Sequence, residues 1–293
     1  MCESMCDEAY VVLGDRGVVL LEGVGAHGFL QDLVSNDVTK VSVNTAVYAA
    51  LLNPQGKYLH DFFVFLFGDG LALDCERDRL PDLVRRLSIY RLRAEVTISD
   101  VTDRFEVVAL PGVRSAPIFD HGGGALFADP RLRDLGWRVV LPRSEVENTL
   151  SSAGYVRCEV DAFDDLRLSL GIPDGSRDML VDKAFLLESN FEELNGVDFD
   201  KGCYVGQENT ARQKHRGTIR RRLMPVDIEG PVPAPDTPIR FGSIDVGSMC
   251  SGHAGKGMAM LRLEYAKKAS ETGQPLTAGD ALLTPIKPDW AQY

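Results

Sequence analysis

The sequence predicts an α+β protein with more than one folding unit, of which the last is a small β-barrel or sandwich. Three observations support this fold class. Strand-like and helix-like segments mix along the first two-thirds of the 293 residues, an early hairpin indicates antiparallel pairing, and the composition changes near Met224. A chain of this length can form more than one core, since domains usually contain roughly 100–200 residues.

The hairpin is predicted at residues 10–21, where two Val-rich runs flank the turn signal Gly14-Asp15-Arg16-Gly17. Residues 27–34 follow with apolar side chains at helical spacing, and Asn36-Asp37 ends that helix. The same patterns predict strands at 48–52, 62–67, 95–98, 105–110 and 137–141 and helices at 81–89, 143–153 and 162–170.

The carboxy-terminal region is marked by five prolines between residues 225 and 238. Proline at this density is incompatible with a helix or a central strand. Short β-like segments broken by glycine follow, which are PIRFGSIDVGSMCSG, GMAMLRLEY and PLTAGDALLTP. We therefore place a domain boundary at about residue 223, between an α+β region at 1–223 and a β domain at 224–293.

The chain is acidic, with 32 basic and 43 acidic residues and a formal net charge of −11. This balance argues against general nucleic-acid binding, which depends on Lys and Arg neutralising phosphates. No apolar stretch approaches the roughly 20 residues needed to cross a bilayer. The acidic start resembles neither a secretory signal nor an organelle transit peptide. We expect a cytoplasmic protein without a membrane contact.

The cysteines do not form a recognisable framework. Disulfide scaffolds are typical of small secreted domains, and zinc or stably bound iron–sulfur sites normally need about four Cys or His ligands in close spacing. No C-x-x-C pair occurs among the six cysteines, which are Cys2, Cys6, Cys75, Cys158, Cys203 and Cys250. We therefore predict no resident metal site.

The most informative segment is Lys201-Gly202-Cys203-Tyr204-Val205-Gly206-Gln207-Glu208. Its two glycines bracket the cysteine and indicate unusual backbone or close approach to a ligand. If the segment is extended, Lys201 and Cys203 point to one face, where an ammonium group would favour the reactive thiolate. A lone cysteine is, however, more often a small buried hydrophobic residue. The residues alone leave both interpretations open.

This octapeptide, running into Ala211-Arg212 and His215-Arg216-Gly217, resembles the K-G-C-[YF]-x-G-Q-E signature of the YgfZ family. Members of that family bind folate and share the fold of the glycine-cleavage T-protein. Further segments that resemble the family are Leu21-Glu22-Gly23, residues 29–33 and 36–38, the turn at 52–57, Arg167-Leu168 with Gly171-Ile172-Pro173, and residues 246–259.

The resemblance implies a three-lobed aminomethyltransferase-like fold, in which two interleaved ferredoxin-like α+β lobes precede a C-terminal β-barrel. It implies tetrahydrofolate as the cofactor and a monomer that serves iron–sulfur client or assembly proteins, including those of tRNA modification. Within this framework, Cys203 and Lys201 are the predicted catalytic residues. The predicted folate-binding residues are Asn53, Asp61, Arg167, Glu188, Asn195, Gly202, Tyr204, Gly206, Gln207, Glu208, Arg212 and Arg216.

Arg212 and Arg216 belong to a basic run at 212–222 that contains no acid. This run has two interpretations. It could form an anion site for the glutamate tail of folate or for a phosphate of RNA or a partner, or it could be a solvated face. The net charge favours a small anion over a tight complex with tRNA.

Two departures from the T-protein bear on activity. His60 stands in place of the first of two paired acids, and Ser169 replaces the acid of an R-L-E-A-G motif. Without these carboxylates the general acid–base groups are missing, which favours a tetrahydrofolate-binding accessory factor of iron–sulfur cluster assembly or repair. One alternative is a folate-dependent aminomethyl or one-carbon transferase acting on an unknown amine. Another is a non-catalytic protein with structural folate whose basic run docks a partner protein or tRNA.

Overall fold

The computed structural model describes residues 8–217 and 219–293, without the side chain of Arg216. Cys2 and Cys6 lie outside the described residues. The chain forms two units. The first contains the residues up to Pro54, Leu59–Phe163 and Leu194–Gln207, and the second contains Gln55–Tyr58, Asp164–Glu193 and Glu208–Tyr293.

The first unit is built on two five-stranded sheets. Its strands are β1 (Ala9–Val12), β2 (Arg16–Glu22), β3 (Val47–Leu52), β4 (Tyr58–Phe67), β5 (Gly70–Glu76), β6 (Thr97–Asp100), β7 (Phe105–Leu110), β8 (Ala125–Ala128), β9 (Trp137–Pro142) and β10 (Val156–Cys158). One sheet has the order β10-β1-β7-β9-β8, and the other has the order β3-β4-β5-β2-β6. The accompanying helices are α1 (Ala26–Gln31), α2 (Leu80–Arg91) and α3 (Val146–Ser152).

The predicted hairpin at 10–21 is wrong, although both of its strands exist. β1 pairs with β7 and β10, whereas β2 pairs with β5 and β6, so the two strands belong to different sheets. All residues of β2 except its last are buried. Its Val-rich run therefore reports burial on both faces and says nothing about which strand is its partner.

The faces of the β2 sheet differ in what they contact. Val19, Leu21 and Leu73 pack with Leu30 of α1 and Leu87 of α2 in one apolar core. Because side chains alternate along a strand, the neighbouring residues face the other way. That second face carries aromatic rings that meet the β1 sheet, including Phe65, whose ring centroid lies 5.0 Å from that of Phe127 on β8.

A chain of buried charges also joins the two sheets. Asp74 on β5 accepts from Arg16 on β2 at 2.6 Å and from Arg138 on β9 at 2.7 Å. Arg138 also donates to Asp129 at 3.0 Å, and Asp129 pairs with Arg131 at 2.8 Å. Burial acts to raise the pKa of Asp129, but the charges of Arg131 and Arg138 outweigh it and bring the pKa to about 2. Asp129 therefore stays ionised at neutral pH, and each of the five groups lies within 3.0 Å of a group of opposite charge.

The second unit ends in a six-stranded closed barrel, which confirms the predicted α+β class with a C-terminal barrel. Its elements are β11 (Arg221–Glu229), β12 (Pro238–Phe241), β13 (Ile244–His253), β14 (Lys256–Arg262), α7 (Leu263–Thr272), β15 (Leu276–Ala278) and β16 (Ala281–Pro285). Pairing of β11 with β16 closes the barrel. The division of the chain at residue 223 stays a prediction, and β11 extends across that position.

Proline was expected to exclude a central strand, yet Pro225 lies within β11, opposite Met258 of β14. The register explains this exception. β11 begins to pair with β16 at Val226, and the Pro225 carbonyl accepts from the N–H of Ile286 at 2.9 Å, so Pro225 lies at the end of this second ladder. A residue without an N–H group is tolerated there.

The remaining helices are α4 (Val160–Leu170), α5 (Gly175–Asp178) and α6 (Gln207–Arg216). In the second unit, the buried Arg167 of α4 donates to Asp178 of α5 at 2.9 Å and to Ser251 Oγ of β13 at 3.0 Å. This arginine therefore ties two helices to the barrel. Within residues 8–217 and 219–293, no helix is long and apolar enough to span a bilayer.

We predict that Asp74→Asn lowers the free energy of unfolding by about 3 kcal/mol or more, because it leaves two buried arginines short of one negative charge. Urea denaturation followed by circular dichroism measures this change. Asp103→Asn is the matched control, since its exposed carboxylate lies 3.8 Å from Arg77 and its loss should have no measurable effect. Equal stability of Asp74→Asn and the unmodified protein would show that the charge chain does not hold the sheets together.

Candidate functional site

The segment that contains Cys203 is a loop of the first unit that precedes α6. The thiol-bearing residue is exposed, and Gly202 beside it is exposed as well. Gly206 has φ +81°, a conformation that favours glycine. Gln207 closes the turn, because its side-chain oxygen accepts from the backbone N–H of Tyr204 at 3.2 Å. The loop thus presents Cys203 outward, on a backbone of defined shape.

Lys201 fixes one end of this loop. Its ammonium group donates to the carbonyl oxygens of Gln31 at 2.7 Å, Val34 at 2.6 Å and Asn36 at 2.8 Å. These carbonyls lie in the last residue of α1 and just after it, where cations are favoured. Burial lowers the pKa of Lys201 to about 8, while nearby aspartates raise it. An ammonium group has three donors, and here the three carbonyls occupy them. Its predicted effect on the Cys203 thiol stays a prediction.

Two buried residues of the same segment, which were not predicted as site residues, anchor the chain shortly before the loop. Ser35 Oγ donates to the carbonyl of Gly196 at 2.6 Å, and Asn36 Nδ2 donates to the carbonyl of Asn195 at 2.7 Å. Asp198 completes the anchor, since its N–H donates to the Ser35 carbonyl at 3.0 Å and its carboxylate pairs with Lys40 at 2.5 Å. The sequence signals for this contact were the polar Ser35-Asn36-Asp37 stretch immediately after an apolar helix and the family resemblance of residues 36–38.

The other predicted site residues of the first unit have internal roles. Asn195 donates to the Pro130 carbonyl at 3.0 Å and has φ +56°. Asp61 is buried on β4 and accepts from the Tyr48 hydroxyl at 2.9 Å. Asn53 is half-buried just after β3. The hydrogen bonds of Asn195 and Asp61 are thus internal to the first unit and do not single out a ligand.

The second unit contains a cleft of about 310 Å³ that includes the predicted residue Glu188. The Glu188 carboxylate accepts two hydrogen bonds from Arg221, at 3.1 Å from Nε and 3.0 Å from Nη2. Further polar side chains of the lining are Ser176, Arg177, Asp178, Lys183, Asp236 and Ser248, and the apolar part comprises Leu180, Ala184, Pro235, Met249, Cys250 and Met260. The cleft therefore combines apolar surface with a few convergent charged groups, as small-molecule sites do.

The basic run is partly neutralised by a neighbouring acidic segment. Lys214 pairs with Glu192, Arg221 with Glu188, and Arg222 with Glu193. The acids come from residues 188–193, which is why the run looked unpaired along the sequence. Glu208 and Arg212 are exposed on α6, and the side chain of Arg216 lies outside the described residues.

His60 and Ser169 do not supply the acids they replace. Burial lowers the pKa of His60 to about 4, although hydrogen bonding to Asp82 raises it. The imidazole is thus neutral near pH 7 and lies 2.9 Å from the Asp82 carboxylate. Ser169 is exposed, and its hydroxyl donates to the Asp165 carbonyl at 2.7 Å. Among the described residues, no group of three His, Cys, Asp or Glu side chains could hold a metal ion.

Two domain families match the sequence. The GCVT N-terminal domain matches residues 15–124, and the CAF17 C-terminal β-barrel domain matches residues 220–293. Among solved structures, the glycine cleavage system aminomethyltransferase T of Bartonella henselae covers 97% of this chain and 86% of its own, with a TM-score of 0.77 and 14% identity. This structural match confirms the aminomethyltransferase-like fold.

Curated relatives are named for iron–sulfur cluster assembly. The mitochondrial assembly factor IBA57 of Mus musculus is 34% identical over 313 residues, which cover 95% of this chain and 84% of the mouse protein. The Homo sapiens protein of the same name is 31% identical over 309 residues with the same coverage. These names differ from YgfZ, the family suggested by the motifs. The relatives are mitochondrial proteins, so the predicted cytoplasmic location is contradicted.

We predict that Cys203 is the first of the four described cysteines to be alkylated by a mild reagent at neutral pH, because it is exposed. Burial raises the pKa of Cys250 to about 12 and raises that of Cys75 above its ordinary value, so both should stay unmodified. Mass-spectrometric peptide mapping over time measures the order. Labelling of Cys75, Cys158 or Cys250 before Cys203 would contradict this assignment. Cys2 and Cys6 are left out of the comparison.

Proposed function

Because the chain belongs to the family of the iron–sulfur cluster assembly factors IBA57, we propose that it is a tetrahydrofolate-binding factor for cluster assembly or repair. In this role Cys203 transiently handles sulfur, iron or a one-carbon unit. The exposed position of Cys203 on an anchored loop is the observation that supports this most, since a thiol that only filled a core would be buried.

The residues around Glu188 fit a folate. A pterin ring presents an edge of hydrogen-bond donors, and a carboxylate has lone pairs for them beyond the two that Arg221 uses. The cleft volume of about 310 Å³ lies at the lower end of the range for small-molecule sites. When bound, tetrahydrofolate supplies a carrier for one-carbon units. Glu188 would orient the ring, and the cations of the lining would face the anionic part of the ligand.

Among the predicted folate-binding residues that the structure describes, only Glu188 lines this cleft. The Asp61 carboxylate accepts a hydrogen bond from the Tyr48 hydroxyl. Arg167 is 2% exposed and donates hydrogen bonds to Asp178 and Ser251. Recruiting either side chain to a ligand would leave a buried partner unsatisfied, which is costly. Both residues therefore act by supporting the fold.

The transferase alternative lacks its general acid–base groups. His60 is neutral and buried against Asp82, and Ser169 bonds to its own helix. The likeness to aminomethyltransferase T is one of fold and does not supply these carboxylates. A service to tRNA-modifying enzymes, which the YgfZ resemblance implies, stays a prediction.

Cells that lack this protein and carry Cys203→Ala should show several-fold lower activity of their iron–sulfur enzymes than cells carrying the unmodified chain, with equal protein levels. The variant removes the thiol without disturbing a core, because the side chain is exposed. Cys158→Ala, at a half-buried thiol of the same unit, is the matched control and should restore full activity. Full activity with Cys203→Ala would overturn the proposed role of this thiol.

Tetrahydrofolate should raise the melting temperature of the purified protein, because a ligand bound only by the native state stabilises it. Glu188→Gln should weaken binding about tenfold or more in isothermal titration calorimetry, since it removes a charge-assisted hydrogen bond to the ring. Glu192→Gln is the control, because Glu192 pairs with Lys214 and does not line the cleft. The absence of binding to the unmodified protein at saturating folate would reject the folate proposal.

A further inference from the structure

A second cleft of the second unit carries a concentration of arginine. It has a volume of about 760 Å³, and its lining comprises Ile219, Arg220, Arg221, Arg262, Leu263 and Glu264. Three cations and one acid thus face the same space, in a chain whose net charge is −11. Local surplus positive charge in an acidic protein indicates an anionic ligand.

The arginines of this cleft lie close enough together to repel one another. Arg221 of β11 and Arg262 of β14 are direct partners across an antiparallel pair, where like charges are unfavourable. Arg221 is compensated by Glu188. Arg220 and Arg262 are exposed, and neither forms an ion pair within the described part of the chain. An anion between these arginines would relieve this repulsion.

Helix α7 adds to the positive potential of the cleft. Its ten residues begin at Leu263, directly after Arg262, and the N-cap side chain makes no hydrogen bond to the first turn. The amino-terminal end of a helix carries partial positive charge, and here the N–H of Leu263 donates to the Arg220 carbonyl at 2.9 Å, which holds Arg220 at this end of α7. The carboxylate of Glu264, in the first turn of α7, offsets part of this positive charge. The three arginines of the cleft still outnumber this single acid.

Arg221 also lines the cleft that contains Glu188, so the two clefts share one wall. A ligand with its ring at Glu188 would pass Arg221 before reaching Arg220 and Arg262. An elongated molecule with a ring at one end and carboxylates at the other would place the ring at Glu188 and the carboxylates at the arginines. Charge-assisted hydrogen bonds from arginine to carboxylate are among the stronger polar contacts.

We propose that the arginine cleft binds the γ-linked glutamate tail of polyglutamylated tetrahydrofolate. This inference rests on the proposed function, because it assumes that folate occupies the adjoining cleft. Arg220 and Arg262 then determine specificity for tail length, while Glu188 determines binding of the ring. RNA phosphates would suit the same cations, but the net charge of −11 disfavours a long polyanion.

Calorimetric titration of the full chain with tetrahydrofolate monoglutamate and triglutamate tests this inference. The unmodified protein should bind the triglutamate about tenfold more tightly, and the preference should shrink at high ionic strength. Arg262→Ala and Arg220→Ala should each lower the affinity for the triglutamate more than the affinity for the monoglutamate and so reduce the preference. Arg240→Ala is the matched control, since Arg240 is an exposed barrel arginine paired with Asp245, and it should retain the full preference.

The outcomes separate this inference from the proposed function. Equal affinity of the unmodified protein for both tail lengths would overturn the tail site and leave folate binding intact. No affinity for either form would overturn both. A single-stranded RNA oligonucleotide that binds in an Arg262-dependent manner, without any tail-length preference for folate, would assign the cleft to RNA and overturn the inference.

Discussion

The first unit depends on the buried charge chain between its two sheets. Asp74 holds arginines from both sheets, and Asp129 holds Arg138 and Arg131. Charges this deep are tolerated only because each has a partner at hydrogen-bond distance. Apolar layers tolerate sliding, but a carboxylate between two guanidinium groups fixes the register and separation of the sheets. The guanidinium of Arg138 also lies 4.0 Å from the ring centre of Phe63, which joins the charges to the aromatic layer.

The sequence was informative about elements and poor about their partners. Helix α2 follows from the spacing of Leu83 and Leu87, and the barrel follows from short glycine-broken strands. The false hairpin at 10–21 arose because strand pairing depends on contacts distant in sequence, to which local patterns are insensitive. The charge chain gave only a weak signal, which was a single Asp74 within the apolar run of β5 and a single Arg138 within that of β9.

The motif of the candidate site could be predicted from the sequence, but the residues that anchor the loop could not. The octapeptide identified the loop of Cys203, but Ser35 and Asn36 lie about 160 positions away along the chain. The same holds for the acids that neutralise the basic run, which come from residues 188–193. Local sequence therefore gave the functional candidates, and three-dimensional contacts gave their positions and charge balance.

The anchor of Lys201 has a consequence for how variation in this protein is interpreted. Its three acceptors are main-chain carbonyls, which every amino acid carries. Substitution of Val34 by another apolar residue that preserves the backbone keeps the acceptor, whereas replacement of Lys201 removes all three bonds at once. For this contact alone, tolerance to inherited or engineered changes is therefore asymmetric, because the ammonium group of Lys201 is required whereas its acceptors do not depend on the side chains of the residues that carry them.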